Sequence, residues 1–223
     1  MAKFLGLRRR YFAGRVEQPD IQAWLTTRLP RKNSFLEDVP FLVIDLEMTG
    51  LDARQHDIVS IGWLAIDKGS ISLSSSRYLM IRTDSGVGQS ATIHQLRDAD
   101  LESGVAEKEA MQELLKASKG RVLVFHNAML DCQFLADSWR QLFGIPFLAP
   151  IIDTMMLEKQ LFERAHKPLE QGVLRLDSCR QRYNLPQYAA HNALVDALAT
   201  AELFLAIVAK KGKCQLKQLL SMV

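Results

Sequence analysis

The stretch FLVIDLEM, residues 41–48, decides the fold. It is apolar except at Asp45 and Glu47, and chain breakers lie on both sides. That pattern reads as a buried β-strand. Strand side chains alternate, so Asp45 and Glu47 share one face and Leu46 takes the other. Two carboxylates in a buried strand are costly unless something positive pairs with them. No Lys or Arg lies in the strand. A divalent metal ion fits the need; a strand end where both carboxylates reach water is the bland reading.

Outward from this strand the chain divides into recognisable pieces. Upstream, LPRKNSFLEDVP (29–40) is a linker, and PDIQAWLTTRL (19–29) has the spacing of a short amphipathic helix with Ile21, Trp24 and Leu25 on one face. Downstream, TGLDARQHD turns the chain into IVSIGWLAI (58–66) and ISLSSSRYLMIR (71–82), with the turn-like DKGS between them. An antiparallel meander is expected. After about residue 100 the pattern changes. Helices are expected at 106–120, 129–143, 153–165, 175–184 and 193–212, with a strand at RVLVF (121–125). Strands first, then alternating helix and strand, point to an α/β fold with a mixed sheet and helices on its faces.

Size and composition are compatible with one globular domain: 223 residues, 48% hydrophobic. No apolar run approaches the roughly 20 residues that span a bilayer, and MAKFLGLRRRYF is too short in apolar residues for a signal peptide. Cys132, Cys179 and Cys214 form neither a metal spacing nor an even disulfide set, which suits a reducing cytoplasm. Net charge is +3 but uneven. Residues 1–40 hold eight Lys/Arg and four Asp/Glu, net +4; the remaining 20 basic and 21 acidic residues give −1. The basic excess sits in an N-terminal arm. Such an arm attracts nucleic acid or an acidic partner, or is simply a solvated, poorly ordered tail.

One phrase occurs nearly twice: HNAMLD (126–131) and HNALVD (191–196). The first follows a strand and the second a loop, and nothing else aligns at that offset, so a duplication is rejected. Asp131 falls in the first turn of a helix, where an ionised carboxylate is favoured. Asp196 shares an inward stripe with Ala193, Ala197, Thr200, Ala201 and Phe204. Asp is 14 of 223 residues, so five histidines give roughly 0.3 chance cases of this spacing. Two cases, plus a D-x-E strand, are hard to obtain by accident. Four carboxylates suit two Mg²⁺ ions, which prefer oxygen ligands and support in-line attack of water on a phosphodiester. A histidine beside them can take the water's proton near neutral pH.

In this order the motifs resemble those of the DEDDh exonucleases, a family of the ribonuclease H-like fold that removes nucleotides from 3′ ends. DLEMTGLD (45–52), HNAMLD and HNALVDA (191–197) resemble its three motifs, and TIHQL (92–96) its intervening Ile-His segment. LDSCRQRYNLP (176–186) is similar to the approach to the third motif in proofreading (epsilon) subunits of bacterial replicative DNA polymerases. The resemblance covers about residues 40–210. It implies a central mixed five-stranded sheet, with the antiparallel meander first, flanked by helices. It also implies two Mg²⁺ or Mn²⁺ ions held by Asp45, Glu47, Asp131 and Asp196, with Asp131 acting largely through water. His191 matches the general base, and His126 a histidine that shapes the site. Met48, Thr49, Leu51 and His94 would meet the terminal nucleotide. Met48 and Leu130 depart from the proofreading pattern, and DLEMTGL is closer to oligoribonucleases. Expected, then, is an extension at 1–39, an exonuclease domain at 40–212 and a tail at 213–223. Single-stranded DNA 3′ ends are the favoured substrate, RNA trimming the rival. A non-catalytic module bound to a polymerase is the reading from another class. The tail, KQLLSMV, faintly resembles sliding-clamp-binding peptides.

Overall fold

The computed structural model describes residues 2–83, 104–189 and 191–220. Five strands form one sheet: β1 (Phe41–Met48), β2 (Ile58–Asp67), β3 (Ser70–Met80), β4 (Val122–Phe125) and β5 (Ile151–Asp153). Their order is β3-β2-β1-β4-β5. β1, β2 and β3 pair antiparallel, while β4 and β5 run parallel to β1. The helices among the described residues are α1 (Ala2–Ala13), α2 (Pro19–Thr26), α3 (Glu107–Ala117), α4 (Ala128–Phe143), α5 (Thr154–Arg164), α6 (Leu176–Gln181) and α7 (Ala193–Lys211). None is long and apolar enough to cross a membrane. This is the expected mixed sheet with helices on both faces. The strand β5 carried no readable pattern: three residues are too few to show a period.

The DKGS turn closes β2 onto β3 with Lys68 at φ 52° and Gly69 at φ 72°. Two left-handed residues match the right-handed twist of the strands they join. The alternation along β1 then sorts the core. Leu42, Ile44 and Leu46 pack in one cluster with residues of α2, α3 and α4. Phe41 and Val43 pack in the other with Ala197, Ala201 and Phe204 of α7. Asp45 and Glu47 continue the second row, so they point toward the α7 side at the C-terminal end of β1.

The N-terminal arm is not a loose tail. α1 is a helix whose Arg9 is 3% exposed. The Arg9 guanidinium donates to the carbonyls of Leu25 (3.2 Å), Leu148 (2.6 Å) and Trp24. Burial lowers its pKa to about 10, so it stays charged at neutral pH. The partners are 15 to 139 residues away in sequence, so no local pattern announces them. α2 buries Ile21, Trp24 and Leu25, as its spacing predicts. The Trp24 indole donates to the Ser118 hydroxyl at 2.9 Å, and its ring lies 5.9 Å from Trp139 and 6.5 Å from Phe147. The C-terminal segment is also docked. The Leu36 N–H donates to the Cys214 carbonyl at 3.3 Å and the Leu216 N–H to the Ser34 carbonyl at 3.0 Å, and Leu216 and Leu219 are each 1% exposed. Of the clamp-like KQLLSMV, Leu219 is thus buried, and residues 221–223 lie outside the described residues.

Trp24→Ala should lose about 3–5 kcal/mol, the cost of truncating a core tryptophan. Denaturant unfolding of the full chain measures this. A loss below about 1 kcal/mol would mean that the N-terminal helices fold apart from the sheet.

Candidate active site

Asp45, Glu47 and Asp196 meet. One carboxylate oxygen from each lies within 4.8 Å of the others. β1 supplies the first two and the fourth residue of α7 supplies the third. The approach of α7 depends on Gly62, which sits opposite Asp45 on β2. A Cβ there would stand 2.3 Å from the backbone of Ala193 and Leu194. No side chain fits between sheet and helix. Small residues Ala193, Ala197 and Ala201, all fully buried, keep the rest of α7 close.

Asp131 stands behind this group. Its Oδ1 accepts from the Leu46 backbone N–H at 3.2 Å, which ties the first turn of α4 to the middle of β1. Its negative charge acts on Asp45 and Glu47. Burial, then Asp131, Glu47 and Asp196, raise the Asp45 pKa well above the carboxylate range. Burial and the same neighbours push Glu47 up to about 8. Asp131 rises to about 7, mainly by burial, with backbone N–H bonds opposing. Asp196 is raised by burial and restrained by the N–H of His191, which donates to its Oδ2 at 2.9 Å. The donor set is all oxygen, closely spaced and negative on balance. That fits Mg²⁺ or Mn²⁺.

The two HNA phrases fold differently. In the first, Asn127 is left-handed (φ 71°) and its side chain caps nothing. The cap comes from Asp153, which accepts from the N–H groups of Asn127 (3.0 Å), Ala128 (3.1 Å) and Met155 (2.9 Å). One buried carboxylate thus serves the starts of both α4 and α5. The sequence offers Asp153 or Thr154 as the cap of α5 and carries no sign of the hold of Asp153 on α4. Asp-Thr before a periodic segment signals only the local cap. In the second phrase, His191 is left-handed (φ 68°) and Asn192 caps α7 through Leu194 and Val195, both at 3.1 Å.

The histidines differ accordingly. His126 Nε2 donates to the Leu174 carbonyl at 2.9 Å, and Nδ1 lies 2.8 Å from the Thr154 hydroxyl. Burial lowers its pKa to about 4. Both ring nitrogens are engaged, so it braces the cleft wall. His191 is exposed and lines an open cleft of roughly 870 Å³ with Asp45 and Asp196. Among the described residues lining that cleft, Arg175 is the one Lys or Arg. The loop before His191 is pinned by Arg180, which donates to the carbonyls of Pro186 (2.6 Å) and Ala199 (2.5 Å) and to Glu202 (2.7 Å).

Met48 ends β1, Thr49 and Leu51 follow it, and none of the three is among the described residues that line this cleft. Met48 packs on the core, and Leu51 is 76% exposed. Thr49 closes the turn: its hydroxyl accepts from the Asp57 N–H at 3.0 Å and lies 3.3 Å from His56 Nδ1. His94 lies outside the described residues.

Comparison with known proteins agrees with this geometry. The family model described as an exonuclease matches residues 42–204. A PolC-type DNA polymerase III of Thermotoga petrophila is 30% identical over 84% of this chain. The chain spans 13% of that protein's length. The DNA polymerase III epsilon subunit of Treponema pallidum is 30% identical over 79% of this chain and 80% of its own length. Among solved structures, the nuclease domain of 3′hExo, a DEDDh family member bound to rAMP, superposes with a TM-score of 0.67. It is 11% identical and covers 85% of this chain and 99% of its own. The shared fold is ribonuclease H-like.

Two outcomes are expected. Gly62→Ala forces α7 away from β2, so it should weaken divalent-metal binding about tenfold or more, read by calorimetry. The raised carboxyl pKa values set a pH dependence. The folded chain holds these protons to higher pH than the unfolded one. Their contribution to metal-free stability is therefore fully present below the ordinary carboxyl values of 3.8 and 4.5 and is lost as pH rises from there through about 7 and 8. Melting in EDTA should show that fall, and Mg²⁺ should offset it most at the alkaline end. A metal-free melting temperature flat from about pH 5 to 9 would contradict the electrostatic picture.

Proposed function

The chain belongs to the exonuclease family, and we propose that it removes nucleotides from the 3′ end of single-stranded DNA, releasing nucleoside 5′-monophosphates. The observation that carries this reading is the convergence of Asp45, Glu47 and Asp196 at a cleft that His191 also lines. The unit that acts is residues 40–212, with 1–39 and 213–223 as flanking segments, in a cytoplasmic setting.

Asp45 and Glu47 would hold divalent ions with Asp196, and Asp131 would support the set through water. Two bound Mg²⁺ or Mn²⁺ ions would supply charge neutralisation at the scissile phosphate and a more acidic water. The residues of the chain do the rest. Asp196 fixes the loop residue before α7 by accepting the His191 N–H, which sets the imidazole at the cleft mouth. There it takes the proton from the attacking water as the general base. Arg175 offers a cation to a substrate phosphate. His126, with both nitrogens occupied, keeps β4, α5 and the Leu174 loop in place.

DNA is favoured over RNA because a relative covered at 80% of its length is a DNA polymerase subunit. The rival, RNA trimming or oligoribonuclease activity, is supported by the DLEMTGL motif and by a structural neighbour that holds rAMP. A polymerase partner follows the same relatives. Loss of activity with retention of binding alone is disfavoured, since all five expected active-site residues are present.

End-labelled DNA and RNA of several lengths, incubated with Mg²⁺ or Mn²⁺, test the reading. Asp45→Ala should abolish hydrolysis and weaken metal binding. His191→Ala should lower kcat by about 10²–10⁴ with metal affinity kept. Digestion of RNA alone would sink the DNA preference. Equal losses for His126→Ala and His191→Ala in kcat would overturn the choice of base.

A further inference from the structure

The helix α1 presents a surface that the proposed reaction does not use. Phe4, Leu7 and Tyr11 are 66%, 62% and 54% exposed. Their spacing of three and four puts them on one face of the helix. They run over about 10 Å of axis at about 1.5 Å per residue. Arg8 and Arg10, both exposed, flank the row on either side. Arg15 stacks its guanidinium 3.5 Å from the Tyr11 ring centroid. Residues 1–16 contain five Lys/Arg and no Asp or Glu. The helix itself is held firmly, since the opposite face carries Arg9, bonded to three main-chain carbonyls. A rigid helix thus presents exposed aromatic and aliphatic side chains between cations, and Phe4 and Tyr11 are among the large hydrophobics most exposed in the described residues.

We propose that this face of α1 is a second binding site for single-stranded nucleic acid, which holds the strand away from its 3′ end. The proposal rests on the reading of the chain as an exonuclease. Phe4, and Tyr11 with Arg15 stacked on its ring, offer exposed aromatic surface to the bases, and Arg8 and Arg10 meet the phosphates, the combination by which proteins bind single strands without reading sequence. Charge complementarity favours this occupant: the ligand is a polyanion, and the stretch carries no acid to repel it. The site lies at the far end of the sheet from the cleft. Arg9 reaches Leu148, which precedes β5, whereas Asp45 and Glu47 lie at the C-terminal end of β1. The rise of β1 from Phe41 to Glu47 alone, about 20 Å, separates the two ends. Only a strand long enough to pass along the domain engages both sites.

Binding to 5′-labelled DNA of about 5 and about 30 nucleotides, measured by anisotropy in EDTA so that nothing is cut, tests this on the full chain. The long strand should bind at least about tenfold tighter than the short one, and Phe4→Ala with Tyr11→Ala should remove about tenfold of the long-strand affinity. Arg8→Gln with Arg10→Gln should reduce the slope of log affinity against log salt by about 1.4. Hydrolysis of the short strand should be unchanged in both double variants. Long-strand affinity and salt slope unchanged in both variants would overturn the proposal. So would loss of sedimentation with phosphatidylglycerol vesicles while DNA binding is kept, which would assign the face to membranes. If the wild-type chain cuts neither DNA nor RNA, the exonuclease reading fails, while the second site is judged on binding alone.

Discussion

Like charges do not gather without help, and the site gathers four. Asp45, Glu47 and Asp196 stand within contact of one another, and Asp131 adds its charge from behind. The rest of the architecture works against this repulsion. β1 is fixed in the centre of the sheet by neighbours on both sides. Gly62 lets the start of α7, at Ala193 and Leu194, lie directly on the backbone of β2. The first turn of α4 is tied to Leu46 through Asp131 itself. Holding protons or a divalent cation relieves the strain, and that is the link between the fold and the chemistry.

The doubled phrase shows how little a spelling determines. His126-Asn127 and His191-Asn192 exchange backbone roles. The left-handed residue is Asn in one and His in the other. Asn192 caps its own helix, whereas Asn127 leaves that task to Asp153 from another strand. As a result His126 is drawn inward onto Thr154 and Leu174, and His191 is left at the mouth of the cleft. Position in the fold, not the shared tripeptide, separates the brace from the proposed base.

Much of this was legible in the residues. The apolar run of β1 with two acids on one face, the small-residue stripe of α7 and the DKGS hairpin each carry a period or a turn that the chain must obey. What escaped reading was carried by contacts distant in sequence. α1 looked like a solvated arm because three arginines in a row normally face water; Arg9 is buried only because carbonyls from residues 24, 25 and 148 converge on it. β5 is too short for a pattern. Asp153 looks like an ordinary helix cap, and nothing local shows that it serves a second helix. Gly62 is an isolated glycine in a strand, and only the register opposite Asp45 gives it meaning. The placement of Thr49 in a turn with His56 and Asp57, rather than in the cleft, also depends on pairing that sequence does not display.

The left-handed backbone at His191 sets two demands against each other. A side chain with a Cβ at φ 68° costs about 1 kcal/mol that glycine would not incur. Selection for stability alone would therefore favour glycine or asparagine there, and would discard the imidazole. A histidine held at such a position marks a place where the fold tolerates a small, permanent disadvantage. With His191 as the proposed base, heat resistance and activity should part company at this residue first among variants of this chain.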